Sequence, residues 1–456
     1  MALDGLRRAS LYRLWIARQR PGARREWQRL RRLEADSGEE LARRQLERLR
    51  SLLAWAGRQS PFYQERFRAA GFEARELQSV AGLAALPVLT KSELHSQGER
   101  LLPGPRQPDW EENASGGSTG EPVRLLQNRS YWRESQAAQW LMEGWWGIRP
   151  GEAMACLWGA DRDLARRSRR ERLGEAIVQA RSLNAFTVTE SDLHRFAAML
   201  GRWRPRFIIG YASALDLFAR FLLQHGIAPP RPQAIKSTAE VLRAEERERI
   251  RTALGAPVYD FYGSRESNCL AAECGEHSGL HVNCWSRVVE VVDANGAPVG
   301  PGTPGRILVT DLSNRATPLV RYENGDVGEW SASACACGRP YPLLARIVGR
   351  KSDFIHTPSG KLVHGEYFTH LFYDQPQVES FQVVQRSLQR LEVDMVLRDD
   401  SLEVVKAALG PRIATAMGPG VQIHFQRVSA IARSASGKHH FTRSELDLPW
   451  GGGAAQ

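Results

Sequence analysis

One segment of the chain combines three glycines with hydroxyl side chains, a composition suited to binding an anion. It consists of Ser115, Gly116, Gly117, Ser118, Thr119 and Gly120. Glycine permits backbone conformations that turn successive N–H groups toward one point. Ser118 and Thr119 add hydroxyl donors for phosphate oxygens. The segment is not a Walker loop, because Glu121 follows Gly120 where that motif has a lysine. Taken by itself, it is equally consistent with a flexible, solvated loop.

A second segment ends an apolar run with an aromatic residue and a carboxylate. It consists of Tyr259, Asp260, Phe261, Tyr262, Gly263, Ser264, Arg265 and Glu266. The run before the glycine is typical of a β-strand, so Tyr262 and Glu266 are expected at its carboxyl end, the edge at which α/β sheets carry their sites. Tyr262 could stack on a purine, and Glu266 could hold magnesium bound to phosphates. The alternative is a buried tyrosine and a surface glutamate in a salt bridge.

Two isolated residues could act on a nucleotide. Asp326 follows Gly325 at a turn, where its carboxylate could accept two hydrogen bonds from a ribose diol. A turn-forming aspartate would also explain this sequence. Lys438 is one of six lysines in a chain with 56 arginines, and it lies in the small-residue segment SASGK. A mobile ammonium there could neutralise charge that develops between a carboxylate and an α-phosphate; the alternative is an ordinary surface lysine.

Five cysteine and histidine residues form a second chemical set. They are Cys274, His277, His281, Cys335 and Cys337. Thiolates combined with imidazole, four at a time, suit tetrahedral structural zinc. We expect Cys274, His281, Cys335 and Cys337 to be the ligands, with His277 as a substitute. Four protein ligands would leave no open position, so the metal would brace the fold and would not catalyse. The alternative is a set of core thiols with exposed histidines.

The elements that must position these residues follow from hydrophobic patterning. Residues 130–330 alternate helical patterns with the short apolar runs MACLWG, RFIIGY, PVYDFYG, VVEVVD and GRILVTD. This alternation predicts an α/β fold, a large N-terminal domain whose sheets are flanked by helices and largely buried. After Gly349, two paired strands, a helix and a further strand predict a small α+β domain of about 100 residues.

Local signals fix several element ends. Ser60 followed by Pro61 predicts a helix start, and Thr90 with Glu93 three residues later predicts a capping box. Residues 103–122 consist of breakers and small polar residues, which predicts a loop. The predicted domain organisation is 1–50 as a basic helical extension, 51–349 as the large domain, 350–353 as a hinge and 354–456 as the small domain.

The length and composition of the chain limit the class of protein to which it can belong. With 456 residues, 42% hydrophobic and 25% charged, the chain is expected to be a two-domain soluble globular protein. No run approaches the roughly 18 apolar residues of a membrane span, and the N-terminus lacks the pattern of a secretory signal. We therefore expect a cytoplasmic location. The sequence leaves a monomer and a homodimer open.

The net charge of +11 is concentrated at the N-terminus, where residues 1–50 carry 14 arginines against 7 acidic residues. This stretch predicts a long arginine-rich helix. Its apolar stripe is formed by Leu6, Leu11, Leu14, Trp15 and Ile16. A solvated surface helix is the simpler interpretation, and peripheral contact with a membrane surface is the alternative. No base-stacking module accompanies the charge, so no specific nucleic-acid partner is expected.

Considered together, the motifs occur in the order and approximate spacing of the adenylate-forming superfamily. Within it, the chain resembles the phenylacetate–CoA ligase family and its relatives near capsule-biosynthesis genes, from about Leu52 to Glu445. The resemblance implies a large domain, a small rotating domain and an active site between them. It also implies an enzyme that uses ATP and Mg²⁺ to convert a carboxylic acid into an acyl-AMP, releases pyrophosphate and passes the acyl group to coenzyme A. An amide- or ester-forming ligase, or an AMP-transferring synthetase that does not use coenzyme A, is the alternative.

The resemblance also implies roles for particular positions. The glycine-rich segment from Ser115 to Gly120, and Thr119 within it, would hold the ATP phosphates, and Lys438 would promote adenylation. Glu266 would act on magnesium, and Asp326 and Arg350 would hold the ribose. The adenine side would comprise Ala239, Glu240, Asp260, Phe261, Tyr262, Gly263 and Ser264. Some members of the resembled family have zinc at positions matching the cysteine set.

Three positions depart from the family pattern. Arg265 replaces the usual threonine before the glutamate, so a guanidinium could reach a phosphate or a substrate anion and a simple apolar aryl acid is in doubt. Gly120 is followed by Glu121 where a lysine is more common, and Ser352 replaces the usual hinge aspartate. The acid itself is not readable from the sequence. Trp145 or Trp146 could line an aryl pocket, although helix packing explains these tryptophans better.

Overall fold

The computed structural model describes residues 11–12, 14–114, 124–158, 180–183, 189–350, 354–359, 362–373, 375–431 and 441–446. Residues 115–120, Ser352 and Lys438 lie outside these ranges, so their predicted roles remain predictions. The labelled helices are α1 Ala23–Leu33, α2 Gly38–Gln59, α3 Pro61–Ala69, α4 Lys91–Ser96, α5 Gly98–Leu101, α6 Arg129–Trp145, α7 Glu190–Trp203, α8 Ala212–Gln224, α9 Ala244–Leu254, α10 Gly365–Tyr373 and α11 Leu402–Met417.

The strands follow the alternation expected of an α/β protein. They are β1 Glu111–Ala114, β2 Arg124–Gln127, β3 Met154–Leu157, β4 Arg181–Leu183, β5 Phe207–Tyr211, β6 Ala234–Thr238, β7 Val258–Ser264, β8 Asn268–Glu273, β9 Leu280–Val282, β10 Arg287–Val292, β11 Gly305–Asp311, β12 Tyr322–Trp330, β13 Leu343–Arg350, β14 Phe354–His356, β15 Leu362–His364, β16 Val378–Ser387, β17 Arg390–Leu397, β18 Gln422–Arg427 and β19 Thr442–Ser444.

Eleven of the strands form one sheet in the order β10-β11-β12-β13-β9-β8-β7-β6-β5-β3-β4. Strands β4, β3, β5, β6 and β7 are mutually parallel, and the strands from β8 onward pair antiparallel. The predicted α/β class is confirmed. The parallel half brings its carboxyl ends to one edge, and the antiparallel half supplies long strands that approach the same edge from the other direction.

Helices cover both faces of the parallel strands. Phe207 and Ala234 pack with Met142 of α6, whereas the next residues in each strand, Ile208 and Ile235, pack in a separate cluster with residues of α7, α8 and α9. Successive strand residues point to opposite faces, so the sheet is buried between helical layers. This explains why its strands read as continuous apolar runs in the sequence.

The basic N-terminal stretch is divided into several helices, and the predicted single long helix is wrong. Residues 14–19 are helical, and the chain then turns at Gly22, which has a φ of 84° and precedes α1. A second break precedes α2, where the Ser37 side chain accepts a hydrogen bond from the backbone N–H of Glu40. Glycine in the left-handed region and a serine cap are ordinary helix boundaries, and the arginine content had obscured them.

This stretch packs on the large domain. Leu30 and Leu41 are buried in the cluster that contains Met142 and Trp146, and α2 continues across residue 50, the predicted end of the extension. The predicted apolar stripe is only partly buried: Ile16 packs against Trp140, whereas Leu11 and Leu14 are exposed. Among the described residues, no helix is both long and apolar enough to span a bilayer.

Two helix starts predicted from local sequence are confirmed, and one predicted loop is partly wrong. Ser60 caps α3 with Pro61 in its first turn, and Thr90 with Glu93 forms the predicted capping box of α4. Part of the predicted loop 103–122 is instead strand β1, which pairs antiparallel with β2. A partner strand supplies the hydrogen bonds that hold this polar segment extended, and local composition carries no sign of the partner.

The small domain has the predicted α+β composition. Strands β16 and β17 pair antiparallel, with β19 and β18 parallel to them on either side. The helix α11 was predicted from SLEVVKAALGPRIATAMG, and its residues Val405 and Leu409 are buried against Val393 of β17. The small domain therefore has its own apolar core.

Arg287 and Arg321 are two of the buried arginines of the large domain, and each is neutralised by an acidic residue. Arg287 is fully buried and contacts Asp311 at 2.9 Å, with further hydrogen bonds to hydroxyl and carbonyl groups. Arg321 contacts Glu290 at 3.1 Å and donates to the carbonyl oxygens of Leu86 and Gly296. A buried charge is tolerated when its partner and hydrogen bonds replace lost hydration.

We predict that Arg287→Ala lowers the free energy of unfolding by about 3–5 kcal/mol, because it leaves the Asp311 carboxylate buried and uncompensated. Urea unfolding followed by fluorescence measures the change. Arg346→Ala is the matched control, since it breaks a pair with Glu329 in which the arginine side chain is 62% exposed. That loss should stay below about 1 kcal/mol. Equal losses in the two variants would contradict the prediction.

Candidate nucleotide site

Four polar side chains meet where β7, β12 and β13 approach one another. The Tyr262 hydroxyl donates to Oδ2 of Asp326 at 2.7 Å, and Nδ2 of Asn324 donates to the same carboxylate oxygen at 3.0 Å and to the tyrosine hydroxyl at 2.6 Å. Arg350 places Nε 2.8 Å from the other oxygen, Oδ1. The structure thus brings together three predicted residues, Tyr262, Asp326 and Arg350.

Strand register explains this convergence. Asp326 and Arg350 are direct partners in the antiparallel pair of β12 and β13. Gly325, with a φ of 84°, adopts a backbone conformation that favours glycine. Gly325 and Asp326 lie within strand β12, so the turn predicted at Asp326 is wrong. Burial, together with the nearby Asp326 charge, raises the pKa of Tyr262 well above its ordinary value. The hydroxyl therefore stays protonated and available as a donor.

Glu266 lies beside this network and is buried, with 7% exposure. Its Oε1 accepts a 3.4 Å hydrogen bond from the Tyr322 hydroxyl. The half-buried Lys91, the first residue of α4, lies within electrostatic range: burial lowers the pKa of Lys91, Arg350 lowers it further and Glu266 opposes the change. A carboxylate flanked by cations suits a site that binds both a divalent metal and an anion.

A polar clamp joins the flanks of the glycine-rich segment to the turn that carries Glu266. Asn113 of β1 donates from Nδ2 to the Arg265 carbonyl oxygen at 2.9 Å. Gln127 of β2 is fully buried and donates from Nε2 to the carbonyl oxygens of Arg265 and Glu266 at 3.1 and 3.2 Å. Residues 115–123 are therefore joined at both ends to strands whose side chains hold the Arg265–Glu266 backbone.

The turn after β7 is itself tightly constrained. A side chain at Gly263 would place Cβ 2.3 Å from the Asn268 carbonyl oxygen, so only glycine fits there. Ser264 Oγ accepts a hydrogen bond from the Ser267 backbone N–H at 3.1 Å. These two predicted residues position the turn through its backbone.

Ala239, Glu240 and Phe261, also predicted for the adenine side, lie outside the hydrogen-bonded network around Asp326. Ala239 follows β6 with a φ of 68°, and the Glu240 carboxylate accepts a 2.9 Å hydrogen bond from the Ser213 backbone N–H at the start of α8. The Phe261 side chain packs in the helical core with the Lys236 ammonium 3.6 Å from its ring centroid. It lies on the opposite face of β7 from Tyr262, because successive strand residues alternate.

Asp260 lies two residues before Tyr262 in β7, beside the carboxylate of Glu273. Its backbone N–H donates to Oε2 of Glu273 at 2.9 Å. Burial raises the pKa of Asp260 to about 7, with the Glu273 charge adding to the effect and Arg247 opposing it. Asp260 and Phe261 are thus not gathered around Asp326, although both belong to the strand that presents Tyr262.

The four expected metal ligands form a compact cluster. One donor atom from each of Cys274, His281, Cys335 and Cys337 lies within 4.8 Å of the others. The Cys274 and Cys335 sulfurs are 3.5 Å apart, and the Cys337 sulfur is 3.3 Å from Nε2 of His281. Burial, together with the Arg339 charge, lowers the pKa of His281 to about 4. The imidazole is therefore neutral at physiological pH, as a metal ligand must be.

His277 does not join this cluster. Its Nδ1 lies 3.1 Å from Oε2 of Glu273, and its ring stacks on Tyr259 with a centroid distance of 5.0 Å. The tryptophans nearby have packing roles, as expected: Trp145 lies edge-on to His281, and Trp146 stacks on Tyr259.

The sequence reasoning missed several members of the nucleotide site. Asn324 lies two residues before Asp326, and the spacing NGD was its only local sign. Lys91 could have been noticed as one of six lysines at the start of a capped helix. Gln127 and Tyr322 reach the site only through strand pairing and carry no sequence signal.

The chain is similar to several known proteins. The family described as "CapK C-terminal domain" matches residues 355–445. The chain is 27% identical to phenylacetate-coenzyme A ligase of Thermus thermophilus over 71% of this chain and 73% of that protein. It is 22% identical to Protein CapK of Staphylococcus aureus over 88% and 89%. A structure of 2-hydroxyisobutyryl-CoA ligase in the postadenylation state superimposes with a TM-score of 0.67, 22% identity and 91% coverage of each chain.

These comparisons support the adenylate-forming superfamily that the motifs implied. For this chain they support an adenylate-forming ligase of the CoA-ligase-like type. This matches the resemblance inferred from the motifs, and the large and small domains of the ligase correspond to the fold described above.

For this ligase we predict that Tyr262→Phe lowers the free energy of unfolding by about 1–2 kcal/mol, because it removes two hydrogen bonds from a buried network. Tyr341→Phe is the matched control: its buried hydroxyl has no hydrogen-bond partner among the described residues. That variant should be neutral or slightly stabilised. Urea unfolding midpoints compare the two, and an equal loss in both would show that the network contributes nothing.

Proposed function

We propose that this chain activates a carboxylic acid with ATP and Mg²⁺, forming an acyl-AMP and pyrophosphate, and then transfers the acyl group to coenzyme A. The observation that carries the proposal is the Tyr262–Asn324–Asp326–Arg350 network beside buried Glu266. Further support comes from the names of relatives, several of which are phenylacetate-coenzyme A ligases.

In the proposed first half-reaction, Asp326 and Arg350 hold the ribose, and Tyr262 packs on the adenine. Each Asp326 oxygen already accepts hydrogen bonds from protein donors, so the carboxylate is fixed in direction before a ribose diol arrives. Preorganised groups of this kind cost little reorganisation when substrate binds. The adenine side is completed by the backbone near Ala239 and Gly263.

The phosphates are proposed to lie on the Glu266 side of the network. Glu266 fits a magnesium ligand, because it is a hard oxygen donor in a buried setting; the metal would neutralise charge on the phosphates. Lys91, close enough for its charge to interact with that of Glu266, adds a second positive charge. The glycine-rich segment is proposed to bind the phosphate oxygens through Ser118 and Thr119, and the Asn113–Gln127 clamp would fix its distance from Glu266.

Lys438 is proposed to complete the adenylation step. The substrate carboxylate attacks the α-phosphorus, the bond to pyrophosphate breaks and the lysine ammonium stabilises the charge that develops. The small domain then rotates about residues 350–353, withdrawing Lys438 and admitting the acceptor. Arg350 is the last residue of β13, so the hinge would begin where the ribose-binding ion pair ends.

ATP–pyrophosphate exchange tests the adenylation proposal. A panel of carboxylic acids identifies the acid that supports exchange, and Lys438→Ala should then reduce exchange by about a hundredfold or more. Lys406→Ala is the matched control, because that lysine lies on the exposed side of α11 with Glu403 as its partner; it should leave exchange unchanged. Undiminished exchange in the Lys438 variant would overturn its assigned role.

The second part of the same experiment identifies the molecule that accepts the acyl group. With coenzyme A present, the wild-type enzyme should form a thioester of the selected acid. A second candidate is an adenylate-forming ligase whose acceptor is an amine or hydroxyl group; one of the relatives, Protein CapK, is not named as a coenzyme A ligase. Exchange without thioester, with product formed when such acceptors are supplied, would support that candidate.

We also propose that Cys274, His281, Cys335 and Cys337 hold a structural zinc ion. Three sulfur donors and one neutral imidazole at the observed separations fit tetrahedral zinc. The ion would join the end of β8 and strand β9 to the segment between β12 and β13, and would brace the strands that carry Asp326 and Arg350.

We predict that His281→Ala lowers the zinc content of the purified protein well below one ion per chain and lowers the melting temperature, because one of four ligands is lost. His277→Ala is the control, because His277 was predicted as a substitute zinc ligand and lies outside the cluster. This variant should retain zinc. Elemental analysis and thermal unfolding measure both effects. Loss of zinc in the His277 variant with retention in the His281 variant would reverse the ligand assignment.

A further inference from the structure

A group of three side chains remote in sequence from the nucleotide motifs has the composition of a second metal site. Glu190 and His194 lie one turn apart at the start of α7, and His225 follows the last residue of α8. One possible ligand atom from each of the three lies within 4.8 Å of the others. All three side chains are exposed, so a metal ion can reach them from solvent.

The separations of the ligand atoms suit a shared ion. Oε1 of Glu190 is 3.3 Å from Nε2 of His225 and 3.9 Å from Nε2 of His194. Ligands bound tetrahedrally at about 2.1 Å lie roughly 3.4 Å from one another. The first distance already matches this value, and a small rotation of an exposed side chain brings the second into range.

A buried aromatic ring aligns the two imidazoles. The His194 and His225 ring centroids lie 4.7 and 4.6 Å from that of Phe221, which is 6% exposed. The two imidazole centroids are 5.0 Å apart. Because both rings pack on one rigid side chain, part of the entropy cost of gathering the ligands is already met in the folded protein.

We propose that Glu190, His194 and His225 bind a divalent transition metal ion at the protein surface. Two imidazoles and one carboxylate are ligands that Zn²⁺, Ni²⁺ and Co²⁺ accept, and the absence of a thiolate among the three makes this set chemically distinct from the cysteine cluster. Three protein ligands leave positions for water, so the ion would remain exchangeable with solvent.

Binding would join the amino end of α7 to the carboxyl end of α8. Both helices pack in the same core cluster as Ile208 and Tyr211 of β5, and α8 begins where Glu240 accepts its hydrogen bond from Ser213. The ion would act as a brace across this helical layer. The folded state would be stabilised by an amount that grows with the logarithm of the metal concentration once that concentration exceeds the dissociation constant.

Cobalt titration of the full-length protein tests the proposal. The protein is first saturated with zinc and desalted, so that the cysteine cluster is filled if it binds zinc. We expect one further equivalent of Co²⁺ to bind without the intense thiolate-to-cobalt charge-transfer absorption that sulfur ligands produce, and to raise the melting temperature.

Three single variants and one control separate this site from ordinary surface binding. His194→Ala, His225→Ala and Glu190→Gln should each weaken binding of the further equivalent by about tenfold or more, the consequence of losing roughly 1.4 kcal/mol of ligand interaction. His424→Ala removes an exposed histidine of β18 and should bind like the wild type. The proposal is overturned if no further equivalent binds, if the double variant His194→Ala/His225→Ala binds as well as the wild type, or if thiolate absorption accompanies all of the bound cobalt.

Discussion

The ion pair between Asp326 and Arg350 is the constraint on which the candidate nucleotide site depends. The two residues are strand partners in β12 and β13, and their side chains meet at 2.8 Å beside the Tyr262 hydroxyl. A shift of one residue in that register would turn one of the two side chains to the other face of the sheet. The pairing of β12 with β13 ends at Arg350, so the site lies next to the predicted hinge at residues 350–353.

Elsewhere the large domain maintains that register by burying charge in matched pairs. Arg287 holds the segment after β11 through Asp311 and Ser313, and Arg321 immediately precedes β12 and is held by Glu290 and by loop carbonyl groups. Both pairs fix the chain on the β10–β11 side of the strand that carries Asp326. Buried ion pairs add little net stability over apolar residues of similar size, but a wrong pairing would leave a charge unmatched. We therefore interpret them as devices that specify one strand arrangement.

The cysteine cluster and the nucleotide site share strands. Cys274 follows β8, which pairs with the strand that presents Tyr262, while Cys335 and Cys337 lie between the two strands that present Asp326 and Arg350. His281 is the strand partner of Leu343 at the start of β13. A cross-link at that end of the antiparallel strands would limit their sliding, and the site at their other end depends on that register.

The sequence by itself determined the α/β class of the fold, strands β3, β5 and β7 of the parallel half, and β16, β17, α11 and β18 of the small domain. It also predicted the chemical character of both candidate sites. Apolar runs, helix caps and ligand types are local properties, so Tyr262, Asp326, Arg350 and the four expected metal ligands could all be named from it. Only the tertiary structure decided that His281 and not His277 faces the three sulfurs, that Phe261 lies in the core, and that Asn324, Gln127 and Lys91 adjoin the nucleotide motifs. It also divided the arginine-rich stretch into packed helices and made part of a polar loop a strand. The positions of the site residues depend on which strands pair and in which register, and that is set by contacts between residues far apart in the sequence. The helix breaks of the arginine-rich stretch instead follow from Gly22 and the Ser37 cap.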